Sequence, residues 1–281
     1  MHPQMTSVSL PSGERVPSLG IGTWRMAESR STRSEELATL RLAIELGVTL
    51  IDTAEMYGEG RAESLIGEAL AGARDRVFLV SKIYPRNASR EGTVAACERS
   101  LARLRTDRID LYLLHWRGEI PLGETLEAFL RLQNQGKIRH FGVSNFDVAD
   151  MRELAELQGG AGVATNQVLY NLAHRNIEHD LLPWLRQHHV PVMAYSPFDH
   201  GKLMKDRELG ELARRSGRTP AQLALGWLLA QPDTIVIPKT GQRERLRENV
   251  QVLAKPLSES ELAELERVFP RPAQPQPLEM R

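Results

Sequence analysis

Four side chains able to move protons stand at the ends of short apolar runs. Asp52 and Tyr57 lie in TLIDTAEMYG (49–58), Lys82 closes VFLVSK (77–82), and His115 ends the run in IDLYLLHW (109–116). Each run is rich in Val, Ile and Leu, the pattern of a buried strand. In a barrel of parallel strands, catalysis is built at the C-terminal strand ends. An acid, an amine and an imidazole would then converge on one face, with a phenol one loop beyond. A cation beside a phenol favours phenolate. On that basis Lys82 should lower the Tyr57 pKa, and the phenol could protonate a carbonyl oxygen while hydride arrives at carbon. Singly, each residue has a plainer reading: a helix cap, a packing ring, a solvated amine, a satisfied structural histidine. The joint occurrence carries the argument.

The elements that must position these groups alternate strictly. Strand-like runs span 19–23, 48–52, 77–82, 110–115, 138–143, 164–168, 191–195 and 234–237. Amphipathic helical patterns span 34–46, 61–71, 91–104, 122–135, 147–157, 180–188, 206–215, 220–230 and 243–253. Such alternation predicts a parallel sheet with helical crossovers, and eight units argue for closure into a (β/α)8 TIM barrel, while the pattern alone also permits an open sheet. Thr32 with Glu35 and Ser258 with Glu261 have capping-box spacing. Thr219-Pro220 predicts an N-cap followed by a first-turn proline. Gly47, Gly72 and Gly136 fall where helices should stop. Ser9–Pro17 reads as an N-terminal hairpin. One domain over 1–281 is expected, with its core at 6–268. The tail 270–281 is rich in Pro and Gln and reads as loose, or at most as a flap over the site.

Composition removes several classes. The chain has 281 residues, 36 basic and 36 acidic, and a formal net charge of zero. No uniform field is expected to attract nucleic acid or an anionic membrane. No apolar run approaches the roughly 18 residues of a membrane span, and no signal peptide is visible. The lone cysteine, Cys97, shares a helical face with Val94, Leu101 and Leu104 and reads as core. A reducing, cytoplasmic setting is expected. No HExxH or CxxC occurs, and His188-His189 is too little for a metal site, so no metal is invoked. GIGTWR and GGAGVA both lack the third glycine of a dinucleotide-binding fingerprint, which disfavours a Rossmann fold.

The segments holding Asp52, Tyr57, Lys82 and His115 closely resemble the aldo-keto reductase family. So do LGIGTW (19–24), GVSNF (142–146), NQVLYN (166–171), AYSP (194–197) and IPKT with RLREN (237–249). The resemblance runs from about residue 6 to 268 in one order. It implies a barrel whose bottom is plugged by the hairpin and whose top binds NADPH. Tyr57 would be the general acid, Lys82 and Asp52 would tune it, and His115 would orient the carbonyl. Ser144, Asn145 and Gln167 would hold the carboxamide, and Tyr195 would stack on the nicotinamide. Lys239, Thr240 and Arg245 would clamp the adenosine 2′-phosphate, with Glu248 and Asn249 on adenine. Gly22, Thr23, Trp24, Asp52, Ser196, Pro197, Ile237 and Pro238 complete the expected cofactor surface. Trp24, Tyr84 and Trp116 would wall the substrate pocket with Tyr57 and His115.

Within the family, these stretches look most like bacterial reductases of methylglyoxal and aromatic aldehydes. The expected partner is a small carbonyl compound, and the expected assembly a monomer. Two rivals stay open. One is a cofactor-sensing regulatory barrel similar to potassium-channel β subunits. The other is a Schiff-base lyase using Lys82. Two departures stand out. Asp199-His200 follows the AYSP segment where relatives carry Leu and a small residue, and Asp199 is expected to point outward. The loops Arg117–Leu122 and after Thr240 are short, which favours a small, poorly enclosed substrate.

Overall fold

A computed structural model describes residues 5–280; residues 1–4 and Arg281, the last residue of the predicted tail, lie outside it. The chain opens with a hairpin of β1 (Ser7–Ser9) and β2 (Arg15–Pro17), in which Val8 faces Val16. Eight parallel strands follow: β3 (Gly20–Gly22), β4 (Leu50–Asp52), β5 (Phe78–Ile83), β6 (Ile109–Leu114), β7 (Ile138–Ser144), β8 (Asn166–Leu169), β9 (Val192–Tyr195) and β10 (Thr234–Val236). Each pairs with its sequence neighbour. The seam between the first and last closes through Val236 N–H to Ser18 C=O (2.7 Å) and Gly22 N–H to Pro238 C=O (3.0 Å).

The helices are α1 (Arg33–Glu45), α2 (Arg61–Ala69), α3 (Arg90–Leu104), α4 (Leu122–Asn134), α5 (Val148–Glu156), α6 (Leu181–Gln187), α7 (Arg207–Ser216), α8 (Pro220–Leu229), α9 (Arg243–Ala254) and α10 (Glu259–Val268). None among the described residues is long and apolar enough to cross a membrane.

Two cores divide the apolar residues, and the two-residue period of a strand assigns them. Leu50, Phe78, Val80, Leu111, Leu113, Met193 and Ile235 point into the barrel and form one cluster with Val8, Leu10 and Val16 of the hairpin. The hairpin therefore plugs the N-terminal end. The intervening Ile51, Leu79, Tyr112 and Leu114 pack with the helices in a second cluster. The inward phase, continued upward, sets the site. Asp52 follows Leu50, Lys82 follows Val80, His115 follows Leu113 and Tyr195 follows Met193.

Charged side chains fix the layers. Glu63 on α2 is wholly buried; it accepts from Ser81 Oγ (2.7 Å) on β5 and from Arg103 Nε (2.6 Å) on α3. Beside it, α2 and α3 approach so closely that a Cβ on Gly67 would sit 2.5 Å from Arg103 C=O. Asp110 accepts from Arg74 (2.7 Å), Arg139 (3.1 Å) and the Leu79 amide (2.8 Å), pinning the lower ends of β5 to β7.

The punctuation holds in part. Ser258 and Glu261 form a reciprocal capping box, and Thr219 forms one with Gln222 ahead of Pro220. Gly47, Gly72 and Gly136 follow their helices with positive φ. Thr32 makes no cap bond, contrary to expectation. Its backbone is helical, and its hydroxyl donates to Glu36 (3.0 Å), while Glu35 is drawn to Arg243 on α9 (3.0 Å). Cys97 is fully buried, and burial pushes its thiol up to about 12.

The tail is not loose. Pro272 C=O lies 2.7 Å from His179 Nε2, Asn176 Nδ2 donates to Pro277 C=O (3.4 Å), and Glu279 contacts His174. Polar side chains on the segment after β8 meet the carbonyls that proline-rich sequence leaves unpaired, which composition could not indicate.

Candidate active site

The strand ends carry an interlocked polar cluster. Lys82 Nζ donates to Asp52 Oδ1 and Oδ2 (both 2.8 Å) and to Thr53 C=O (2.8 Å), and lies 3.3 Å from the Tyr57 hydroxyl. The three groups come from two adjacent strands and one loop. Tyr57 reaches inward because the segment after β4 turns tightly, with Tyr57 N–H bonded to Ala54 C=O (3.1 Å) and Gly60 at φ 86° before α2. Glu55 ties that loop to the one after β5 by accepting from the Tyr84 amide (2.8 Å) and Asn87 Nδ2 (2.9 Å).

The electrostatics differ from the sequence expectation in one respect. Burial, reinforced by the Asp52 charge, pushes the Tyr57 phenol well above its ordinary value. Lys82 does not prevail as a lone cation would, because its charge is matched by Asp52 at contact distance. Burial lowers the Lys82 pKa against the opposing pull of Asp52. The phenol is thus a firmly protonated donor, with an ammonium positioned to stabilise the phenolate it would leave. Burial and the Lys82 charge hold His115 well below its ordinary value, so its ring is neutral near pH 7. The His115 ring lies edge-on to Tyr57 at 5.7 Å, and Nδ1 is buried without a hydrogen-bond partner among the described residues.

These groups form the floor of a cleft of about 1000 Å³. Asp52, Tyr57, His115, Ser144, Asn145, Gln167 and Tyr195 line its inner part. Gln167 Nε2 donates to Asp52 Oδ1 (2.8 Å), Tyr195 donates to Asn145 Oδ1 (2.9 Å), and Ser144 Oγ donates to Gln167 C=O (2.8 Å). Asn145 takes φ 59°, which turns its amide toward His115 C=O (3.1 Å). A planar ring with amide and hydroxyl groups beside it suits a planar carboxamide heterocycle. At the other end lie Lys239, Thr240, Arg245, Glu248 and Asn249. Desolvation lowers the Lys239 pKa, with Glu36 and Glu28 opposing and Arg25 and Arg245 adding to the fall. Two cations and a hydroxyl there suit a phosphate. The donor set fits a dinucleotide lying between the ends.

Most sequence-predicted site residues face this cleft, including Gly22, Trp24, Trp116, Ser196, Pro197 and Ile237. Four do not line it. Lys82 is fully buried behind Tyr57. Thr23 is buried and donates through Oγ1 to Asp52 C=O (2.9 Å), and the Pro238 carbonyl closes the barrel seam. Tyr84 packs edge-on against Trp116 at 5.1 Å, with Arg86 over its ring at 4.9 Å, and does not itself line the cleft.

Asp199 also departs from expectation. It is buried, and its Oδ1 lies 3.4 Å from His174 Nε2. Its neighbour His200 faces the cleft instead, edge-on to Trp24 at 5.1 Å. Sequence reasoning missed several lining residues, among them Arg25, Met56, Phe198, Met204, Lys205 and Met280. Arg25, whose guanidinium covers Trp24 at 4.3 Å, was signalled by adjacency to that tryptophan. Met280 had no signal, since nothing in the tail's composition says where it docks.

Comparison with known proteins follows the same lines. A family model described as the aldo/keto reductase family matches residues 18–269. The methylglyoxal reductase YeaE of Escherichia coli (strain K12) is 48% identical over 274 residues, 96% of each chain. The glyoxal reductase of Bacillus subtilis (strain 168) is 31% identical over 275 residues, 95% of this chain and 96% of that one. An aldo/keto reductase from Klebsiella pneumoniae, crystallised with NADP and acetate, superposes with a TM-score of 0.95 at 47% identity, covering 99% of this chain and 100% of that one.

Proposed function

Given that the chain belongs to the aldo/keto reductase family, we propose that it is an NADPH-dependent oxidoreductase reducing small aldehydes and ketones to alcohols, with methylglyoxal and compact aromatic aldehydes as its substrate class. The reading is carried by one observation: Lys82, fixed on Asp52, stands 3.3 Å from a protonated Tyr57 hydroxyl on the cleft floor. NADP(H)-bound relatives of nearly the same shape support the cofactor, and a methylglyoxal reductase among the relatives supports the substrate class.

NADPH would supply the hydride when bound, held by Lys239, Thr240 and Arg245 at one end and by Ser144, Asn145, Gln167 and Tyr195 at the other. The chain's own residues do the rest. A carbonyl oxygen in the cleft accepts from the neutral His115 and from Tyr57. As negative charge grows on that oxygen, the Tyr57 proton moves to it. The phenolate left behind is met by the Lys82 ammonium, while Asp52 keeps the ammonium in place. Trp24, Trp116 and Met56 offer an apolar wall suited to small or flat substrates.

The same geometry weighs against a Schiff-base lyase. Lys82 is fully buried and donates to three oxygens, so no carbonyl carbon can reach its nitrogen. NADPH oxidation followed across methylglyoxal, 4-substituted benzaldehydes, glucose and a steroid ketone tests the proposal. Turnover is expected with the first two classes at KM near or above about 1 mM. Tight NADPH binding without turnover on any carbonyl would instead favour a cofactor-sensing barrel, and a preferred steroid would overturn the substrate class.

A further inference from the structure

Two separate segments contribute to the lining of the cleft, and one histidine touches both. After β9 the loop 196–202 runs along the cleft, with Ser196 (φ 52°), Asp199 (φ 44°) and His200 (φ 53°) in left-handed backbone. Non-glycine residues hold such conformations only where surrounding contacts impose them. This loop brings His200 against Trp24. The tail brings Met280 to the same cleft.

The segment after β8 lies between them. Asn171 shapes it, accepting on Oδ1 from the Ala173 and His174 amides (2.9 and 3.1 Å). Its Nδ2 donates to Ser196 C=O (2.9 Å), at the root of the cofactor-side loop. Arg175 Nη1 donates to Phe269 C=O (2.6 Å), and His179 and Asn176 meet the carbonyls of Pro272 and Pro277. His174 completes the bridge. Its Nδ1 contacts the Glu279 carboxylate, one residue before Met280, and its Nε2 faces Asp199 Oδ1 at 3.4 Å, one residue before His200. Lys202 Nζ stands 3.8 Å from the other Asp199 oxygen.

We infer that His174 is a positioning residue that couples the two segments: the Glu279–His174–Asp199 chain ties the C-terminal tail to the loop along the cofactor, so the state of the tail sets how fast the dinucleotide leaves. Opening the tail removes one of the contacts that orient the imidazole, and so loosens one of the contacts that hold Asp199 in the left-handed loop. Substrate-side opening and cofactor release then share one latch. The inference rests on the NADPH reading given above.

The deciding variant is Glu279→Gln, which changes the tail alone. NADPH release should be followed by stopped-flow fluorescence, and amide hydrogen exchange of residues 198–205 measured in dinucleotide-free protein. Release is expected to quicken about two- to fivefold, the size that loss of one partly exposed side-chain hydrogen bond supports. Exchange in the loop should quicken in parallel, although residue 279 lies outside that loop. His174→Gln should do the same, and the double variant no more than either single one. Unchanged release and unchanged loop exchange in Glu279→Gln would overturn the coupling, even if the KM for the carbonyl rises. Should the wild type fail to bind NADPH, the functional reading falls, while the exchange measurement still decides whether tail and loop are linked.

Discussion

The Lys82 ammonium is held by Asp52 through both carboxylate oxygens, each 2.8 Å from Nζ, and neither side chain is more than marginally exposed. Buried pairs of this kind gain little net stability, because desolvation offsets the attraction, yet breaking one is costly. Gln167 adds a second donor, and a third hydrogen bond, to the same carboxylate. The pair places the Lys82 nitrogen 3.3 Å from the Tyr57 hydroxyl, where the proposed reaction would use its positive charge.

Tyr57→Phe removes one hydroxyl and almost no volume. It should lower kcat by about 10²–10⁴, the usual contribution of a positioned acid. NADPH affinity, read by fluorescence titration, should be nearly unchanged. Retention of more than about a tenth of the wild-type rate would assign proton donation elsewhere.

Lys82→Met leaves the Asp52 carboxylate buried without its cation. We expect a stability loss of about 3–5 kcal/mol in denaturant unfolding and a large fall in kcat. Adding Asp52→Asn should return most of the stability and none of the activity. Recovery of both in the double variant would mean that the ammonium is structural only.

Arg245→Ala, alone or with Lys239→Met, should weaken NADPH far more than NADH. A charge-assisted bond to phosphate is worth about 1.5–3 kcal/mol, and NADH lacks the 2′-phosphate. The preference for NADPH, read as the ratio of the two Kd values, should fall by about tenfold or more for each cation removed. Equal weakening of both dinucleotides would place these cations on a group the two share.

His115 supplies a pH signature of stability. Burial and the Lys82 charge depress its folded pKa well below the unfolded value of about 6.5. Below that pH the unfolded chain binds a proton that the folded ring refuses. The folded state therefore loses stability as pH falls from about 6.5 toward the folded pKa, and regains it above. Tm measured from pH 7.5 to 5 should drop less steeply in His115→Gln than in the wild type. Identical slopes would show that the ring titrates alike in both states.

By itself the sequence carried the eight-unit rhythm and the convergence of Asp52, Lys82 and His115 at strand ends on one face, while the place of Tyr195 came from the family resemblance. The reason is that both the strand period and residue type are local properties. Residues two apart share a face, and a run such as FLVSK carries its own register. Motif order then located the two ends of the cleft, from Ser144 and Asn145 to Lys239 and Arg245. What depends on through-space partners was not legible. Lys82 was expected to make Tyr57 acidic, but contact with Asp52 balances its charge and leaves burial to govern the phenol. Tyr84 was read as pocket wall, yet its ring packs against Trp116 and does not line the cleft. Asp199 was turned outward in the sequence reading, whereas His174, 25 positions earlier in the chain, draws it inside. The tail read as loose because proline-rich sequence lacks a core of its own. Only the tertiary structure brings Asn176 and His179 to its carbonyls and sets Met280 at the cleft. Charge balance, ring stacking and tail docking are fixed by distance in space, and sequence separation does not encode that distance.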